Sequence, residues 1–280
     1  MKVLKYILYI FIILILANIL YSLMVERKGE LLGNSVVVVK LDGIIMDADK
    51  FLSLLDKYKK NEKVKAFIIR INSPGGAIVP AQRIFKYLKE MDRPVYAAME
   101  SVAASGGYYV AAGCRKIYAF EGTITGSIGV ILQLGNFQEL IKKIGISFNV
   151  IKSGQYKDIG SPYREMTEAE KSMLESNIKE LYEQFVGDIR NSRKIDNQTL
   201  AEYTDGRIIT GKTAVKLGFV DKNGTYMDAF NDLKKELKIG GLKLYEHKEK
   251  KKFFEKIMEK LPFNIENLFL NEGFYYLHQF

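Results

Sequence analysis

VKAFIIRINSPGG, residues 64–76, carries the reading of the fold. Val64 to Ile71 form a short apolar run rich in β-branched residues, which predicts a strand. Asn72-Ser73-Pro74-Gly75-Gly76 then stop it, and a helical pattern covers 77–91. Consecutive glycines at that turn let backbone N–H groups point into a concave site with no side chain in the way. In an α/β sheet, a turn at the carboxyl end of a strand is where ligands bind. Standing alone, the same turn could equally be a tight structural one.

Working outward, SVVVVKL (35–41), PVYAAM (94–99), RKIYAF (115–120) and SFNVI (147–151) are further predicted strands. Helical patterns lie near 49–60, 105–113 and 135–144. Strands recurring with helices between them predict an α/β layered domain with parallel pairing. A long charged helix runs from about Thr167 to Arg193. It opens on Thr167-Glu168-Ala169-Glu170, the capping-box pattern. The unit GRIITGKTAVKLGFVD follows, and a last helix covers about 226–238. Gly240-Gly241 marks a boundary, beyond which lie the run KEKKK and an aromatic tail. No internal repeat is present.

The amino-terminal end, 1–5, precedes YILYIFIILILANILYSLMV, residues 6–25, which has no charged position. As a helix it would span about 30 Å, the hydrocarbon thickness of a bilayer. The run ends in Leu23, Met24 and Val25 without a small-x-small cleavage site, which favours an uncleaved anchor. Lys2 and Lys5 on one side balance Arg27 and Lys28 on the other, so the positive-inside rule gives no orientation. The resulting division is an anchor at 6–25, a linker at 26–34, a globular domain at 35–238 and a basic, aromatic tail at 239–280.

Rare residues exclude several chemistries. The 280-residue chain has one cysteine, Cys114, so it can form neither an intrachain disulfide nor a multi-cysteine zinc site. Its two histidines, His247 and His278, lie near the carboxyl end. A histidine base would have to reach back from there, and a His-rich metal centre is disfavoured. The formal net charge of +9 reads first as a solvated lysine-rich surface. Anionic lipid headgroups are the next candidate partner. Nucleic acid comes last, because the charge is spread along the chain with no arginine-rich arm.

Two more glycine-bearing turns complete a possible site. In SVAASGGYYVAAGC (101–114), Ser105 opens a helix among small residues. It could be a plain helix cap, or a nucleophile beside favourable N–H dipoles. GTITGSIGV (122–130) sets Ser127 between glycines. In IKSGQYKDIGSPYREMT (151–167), Lys157 sits in a glycine-flanked, partly apolar loop. A lysine serves as general base only when its ammonium is desolvated enough to lose its proton. A surface lysine is the plainer reading.

Taken together, SPGG, ASGGYY, GSIGV and SGxxKD, in that order, resemble the motifs of the signal peptide peptidase A family of membrane-bound serine peptidases. The resemblance covers about 35–238. It implies a crotonase/Clp-peptidase fold, a stack of ββα units, here preceded by one transmembrane helix. It implies Ser105 as nucleophile, Lys157 as general base and Ser127 as the hydroxyl orienting the lysine. Gly76 and Gly106 would be the backbone oxyanion donors. Neither a cofactor nor a metal is implied, and the substrates would be signal-peptide remnants or other short apolar peptides. The catalytic domain would stand on the outer face of the cell membrane. Long members of the family carry two related domains. This single copy would therefore share its dyad between protomers of a homo-oligomeric ring.

Two alternatives stand beside this reading: a crotonase-like acyl-CoA enzyme and a catalytically inactive membrane scaffold. A third signal is a decoy. Gly206-Arg207-Ile208-Ile209-Thr210-Gly211-Lys212-Thr213 fits the Walker A pattern. It follows the polar, helix-like LAEYTD where a buried strand is required, and two isoleucines occupy the loop. It reads as a short capped helix over 210–217 ended by Gly218, and no nucleotide is expected.

Overall fold

In the computed structural model, which describes residues 33–247, the quoted stretch forms β2 (Val64–Ser73) inside an eight-stranded sheet. It lies between β1 (Ser35–Asp42) and β3 (Val95–Ala104), parallel to both. The crossovers are α1 (Asp49–Lys59) and α2 (Ile78–Lys89). Beyond β3 come α3 (Gly106–Ala112), β4 (Lys116–Ala119) and β5 (Ile124–Gly126). Next are α4 (Gln138–Lys143), α5 (Glu168–Ser192), α6 (Asn197–Tyr203), β6 (Ile208–Thr210) and α7 (Gly211–Lys216). The described chain ends with β7 (Lys222–Asn223), α8 (Tyr226–Leu237) and β8 (Lys243–Glu246). The sheet order is β6-β5-β3-β2-β1-β8, with β4 beside β3 and β7 beside β4. The β5–β6 pair is antiparallel.

The central strands read as apolar runs because both of their faces are covered. Val37, Val39, Phe67, Ile69 and Ile71 pack against Leu55 of α1, Ile84 of α2, Val110 of α3 and Ile189 of α5. The alternate residues Val36, Val38, Ala66 and Ile68 meet Phe230 and Leu233 of α8. The result is a mixed α/β sheet of mainly parallel strands with helices on both faces.

Three expectations need correction. SFNVI (147–151) forms no strand; Ile151 is fully exposed and no neighbouring strand pairs with this segment. Composition favours a strand there, but the segment packs within its own arm, where Phe148 stacks on Tyr163. The helix expected at 135–144 shortens to α4, none of whose residues is buried. The strand expected at 94–99 continues to Ala104, because Val102, Ala103 and Ala104 pair with Ile124, Thr125 and Gly126. The sheet also continues past the Gly240-Gly241 boundary, where Leu242 is buried and β8 lies beside β1. The expected span at 6–25, most of the linker and nearly all of the tail lie outside the described residues. Among the described residues no helix is long and apolar enough to cross a membrane.

Candidate active site

The turn after β2 is built around its two glycines. The buried Ser73 hydroxyl accepts the Gly75 N–H at 3.1 Å. Ile45 N–H donates to Gly75 C=O, and Ala77 N–H donates to Ile45 C=O, both at 2.8 Å. In such a parallel bridge the flanking groups make the bonds, so the N–H of Gly76 itself faces away from Ile45. It lies beside α3: a Cβ on Gly106 would sit 3.3 Å from Gly76 N. Gly75, at φ +110°, packs against the residue of greatest interest. A Cβ on it would lie 2.8 Å from Gly106 N and 2.9 Å from Ser105 Cβ.

Ser105 follows the last residue of β3 and adopts φ 52°, ψ −121°. A non-glycine residue in that region stores strain of about 1–3 kcal/mol. Two bonds hold it there: Ser105 N–H to Gly126 C=O at 2.8 Å and Tyr109 N–H to Ser105 C=O at 2.9 Å. Its hydroxyl makes no capping bond to α3. The plain helix-cap reading is therefore excluded. A half-buried, uncommitted hydroxyl sits at the amino end of a wholly buried helix.

Ser127 is its neighbour by register. Ala104 pairs with Gly126 in parallel strands, so Ser105 and Ser127 are the next residues of both. Ser127 is also at positive φ, 49°, and donates its N–H to Arg207 C=O at 2.8 Å. Thr125 ties the two strands together, its hydroxyl donating to Ala103 C=O at 2.6 Å. Two strained serines thus emerge side by side from one sheet end.

Lys157 stands apart. It is exposed, its N–H closes a turn onto Gly154 C=O at 3.2 Å, and its ammonium has no partner among the described residues. It is not bonded to Ser105 or Ser127. The desolvated lysine expected from sequence is not present within one copy of the chain. The adjacent Asp158 is held instead: Arg164 and Lys152 both donate to its carboxylate, at 2.8 and 2.5 Å. Those cations keep the Asp158 carboxyl well below its usual range.

With that geometry in view, residues 87–240, more than half of the chain, match the model of peptidase family S49. The chain belongs to peptidase family S49, and within it to the SppA type of serine peptidase. It is 36% identical over 232 residues to a provisionally named signal peptide peptidase SppA of Enterococcus faecium, covering 77% of this chain and 67% of that one. It is 46% identical over 175 residues to a provisionally named protease, slr0021, of Synechocystis sp., covering 62% of this chain and 63% of the relative. The match thus spans roughly two thirds of these relatives. Among solved structures, a mutant of the 1510-N membrane-bound stomatin-specific protease aligns over 79% of this chain and all of that one. The TM-score is 0.48 and the identity 19%.

The Walker-like segment of this S49 chain is a packed element. Thr210 caps α7, accepting from Thr213 N–H. The Gly211 and Lys212 N–H groups, which a phosphate would need, donate to Thr123 C=O at 2.7 Å and Glu121 C=O at 3.1 Å. A Cβ on Gly211 would lie 1.9 Å from Phe120 O, so the turn packs directly against the chain at the end of β4. Sequence reasoning missed Ser73, whose hydroxyl sets the Gly75 turn. The signal was present, since a serine two residues before a glycine commonly makes this bond.

Proposed function

We propose that this S49 chain is a membrane-anchored serine endopeptidase that degrades cleaved signal peptides or other short apolar peptides. One observation carries the reading: Ser105 holds an uncommitted hydroxyl at a strained strand-to-helix turn, beside the N–H groups of Gly76 and Gly106. The Lys157 amine removes the Ser105 Oγ proton as Oγ attacks the scissile carbonyl carbon. The oxyanion accepts from Gly76 and Gly106 N–H. The lysine ammonium then protonates the leaving amine, and in the second half the regenerated neutral amine deprotonates the water that releases the acyl group. Ser127, beside Ser105, orients the amine.

Two features favour a site shared between copies in a homo-oligomeric ring. The Lys157 ammonium has no partner among the described residues. It is carried by a segment, 131–163, with many exposed apolar side chains, including Ile131, Leu140, Ile144 and Phe148. Exposed apolar side chains gathered on one segment favour a contact there. The uncharged run 6–25 supports the anchor. The family resemblance supports a catalytic domain on the outer face of the cell membrane.

Full-length protein in detergent should hydrolyse unstructured apolar peptides. Ser105→Ala and Lys157→Ala should each lower kcat by about 10³-fold or more, since nucleophile and base act as a unit. Ser127→Ala should retain weaker turnover. Activity surviving in the Ser105→Ala protein would refute the assignment.

A further inference from the structure

The SGxxKD motif contains an aspartate next to the proposed base. A carboxylate there is a hazard: pairing with the Lys157 ammonium would favour the charged form and oppose its use as a base. The structure occupies that carboxylate elsewhere. Arg164 Nε and Nη2 donate to the two Asp158 oxygens at 2.9 and 2.8 Å, a bidentate fork. Lys152 Nζ adds a contact at 2.5 Å.

Arg164 is itself anchored to a different element. Its Nη1 and Nη2 donate to Glu170 at 2.8 and 2.5 Å. Glu170 is buried in the first turn of α5, where its carboxylate also accepts the Thr167 N–H at 2.9 Å. The charged groups meeting Asp158 are thus Lys152 and Arg164 from its own segment, with Glu170 of α5 behind Arg164. The Lys157 ammonium joins none of these pairs.

We infer that Arg164 is a positioning residue for the proposed base: by clamping Asp158 to Glu170, it fixes the Lys157 loop on α5 and withholds the Asp158 carboxylate from the Lys157 ammonium. This rests on the reading of Lys157 as general base. The device keeps an acidic neighbour in the motif without letting it hold the lysine in its charged form.

The test is the pH dependence of kcat/KM in the full-length protein. Arg164→Gln with Lys152→Gln, which removes both cations from Asp158, should move the midpoint of the rising limb up by about one pH unit or more and lower neutral-pH kcat/KM about tenfold; Arg164→Gln alone, leaving the Lys152 contact, should give part of that shift. Activity should recover on the alkaline side. Arg164→Lys should give a smaller shift, and it serves if the glutamine protein fails to fold. Adding Asp158→Asn to Arg164→Gln should return the midpoint to the wild-type position, because no carboxylate remains to pair with the lysine. A merely structural clamp would scale activity equally at every pH and gain nothing from the second substitution. That outcome overturns the inference while Lys157→Ala is still inactive. Should Lys157→Ala remain active, the base assignment fails first, and this inference with it.

Discussion

Gly75 shows how narrowly Ser105, the proposed nucleophile, is held. Its φ of +110° suits glycine, and any Cβ would press on Ser105 Cβ and Gly106 N within 3 Å. Gly75→Ala should therefore displace Ser105 and the Gly106 N–H, the proposed oxyanion donor, together. Displacements near 1 Å cost on the order of 10²-fold in rate, so kcat/KM should fall by about that factor. Peptide hydrolysis beside a near-UV dichroism spectrum checks it; activity within threefold of wild type would contradict the tight packing. At this scale the glycine turns and both serines were legible from their small, turn-forming neighbours. The state of the Ser105 hydroxyl was not, because serine at a strand-to-helix turn serves equally as cap or nucleophile. Only the backbone conformation and the missing capping bond separate the two.

Among the elements, α5 is the one whose start was written most clearly. Thr167 and Glu170 close a capping box as their spacing predicts. Thr167→Ala should cost about 1 kcal/mol, read as a lowered denaturant midpoint. Glu170 adds a pH dependence. Arg164, and next the Thr167 N–H, hold its carboxyl down at about 2 against a usual 4.5. A depressed carboxyl contributes stability that is fully present above pH 4.5 and lost as pH falls toward 2. The stability gap between wild type and Glu170→Gln should accordingly narrow across that window; a constant gap would contradict the linkage. The misread element is the 147–151 strand. Phe148, Val150 and Ile151 suit a strand by composition, but pairing depends on a free sheet edge. Phe148 stacks on Tyr163, with ring centroids 4.1 Å apart, and Phe137 N–H bonds Pro162 C=O at 2.7 Å. The arm folds on itself, and local composition does not carry that information.

For the whole molecule, the alternation of apolar strands and amphipathic helices was enough to specify a parallel α/β core, because the central strands are apolar on both faces, one packed on the crossovers α1 and α2 and the other on α8. The complete site was not legible in the same way. The candidate base stands exposed on an arm that carries exposed apolar side chains, and the association proposed to complete its surroundings is something no local pattern encodes. The central claim is that Ser105 and Lys157 make one working site from two copies of the chain. Mixing tests all parts of it together. Inactive Ser105→Ala and Lys157→Ala proteins would be dissociated, combined in equal amounts and reassembled, with subunit exchange followed by mass-labelled protomers. In a closed ring with random exchange, roughly a quarter of the interfaces would pair an intact serine with an intact lysine. The mixture should regain peptide hydrolysis to about that fraction of wild type, while each variant alone stays silent. A silent mixture with exchange demonstrated would contradict the shared site.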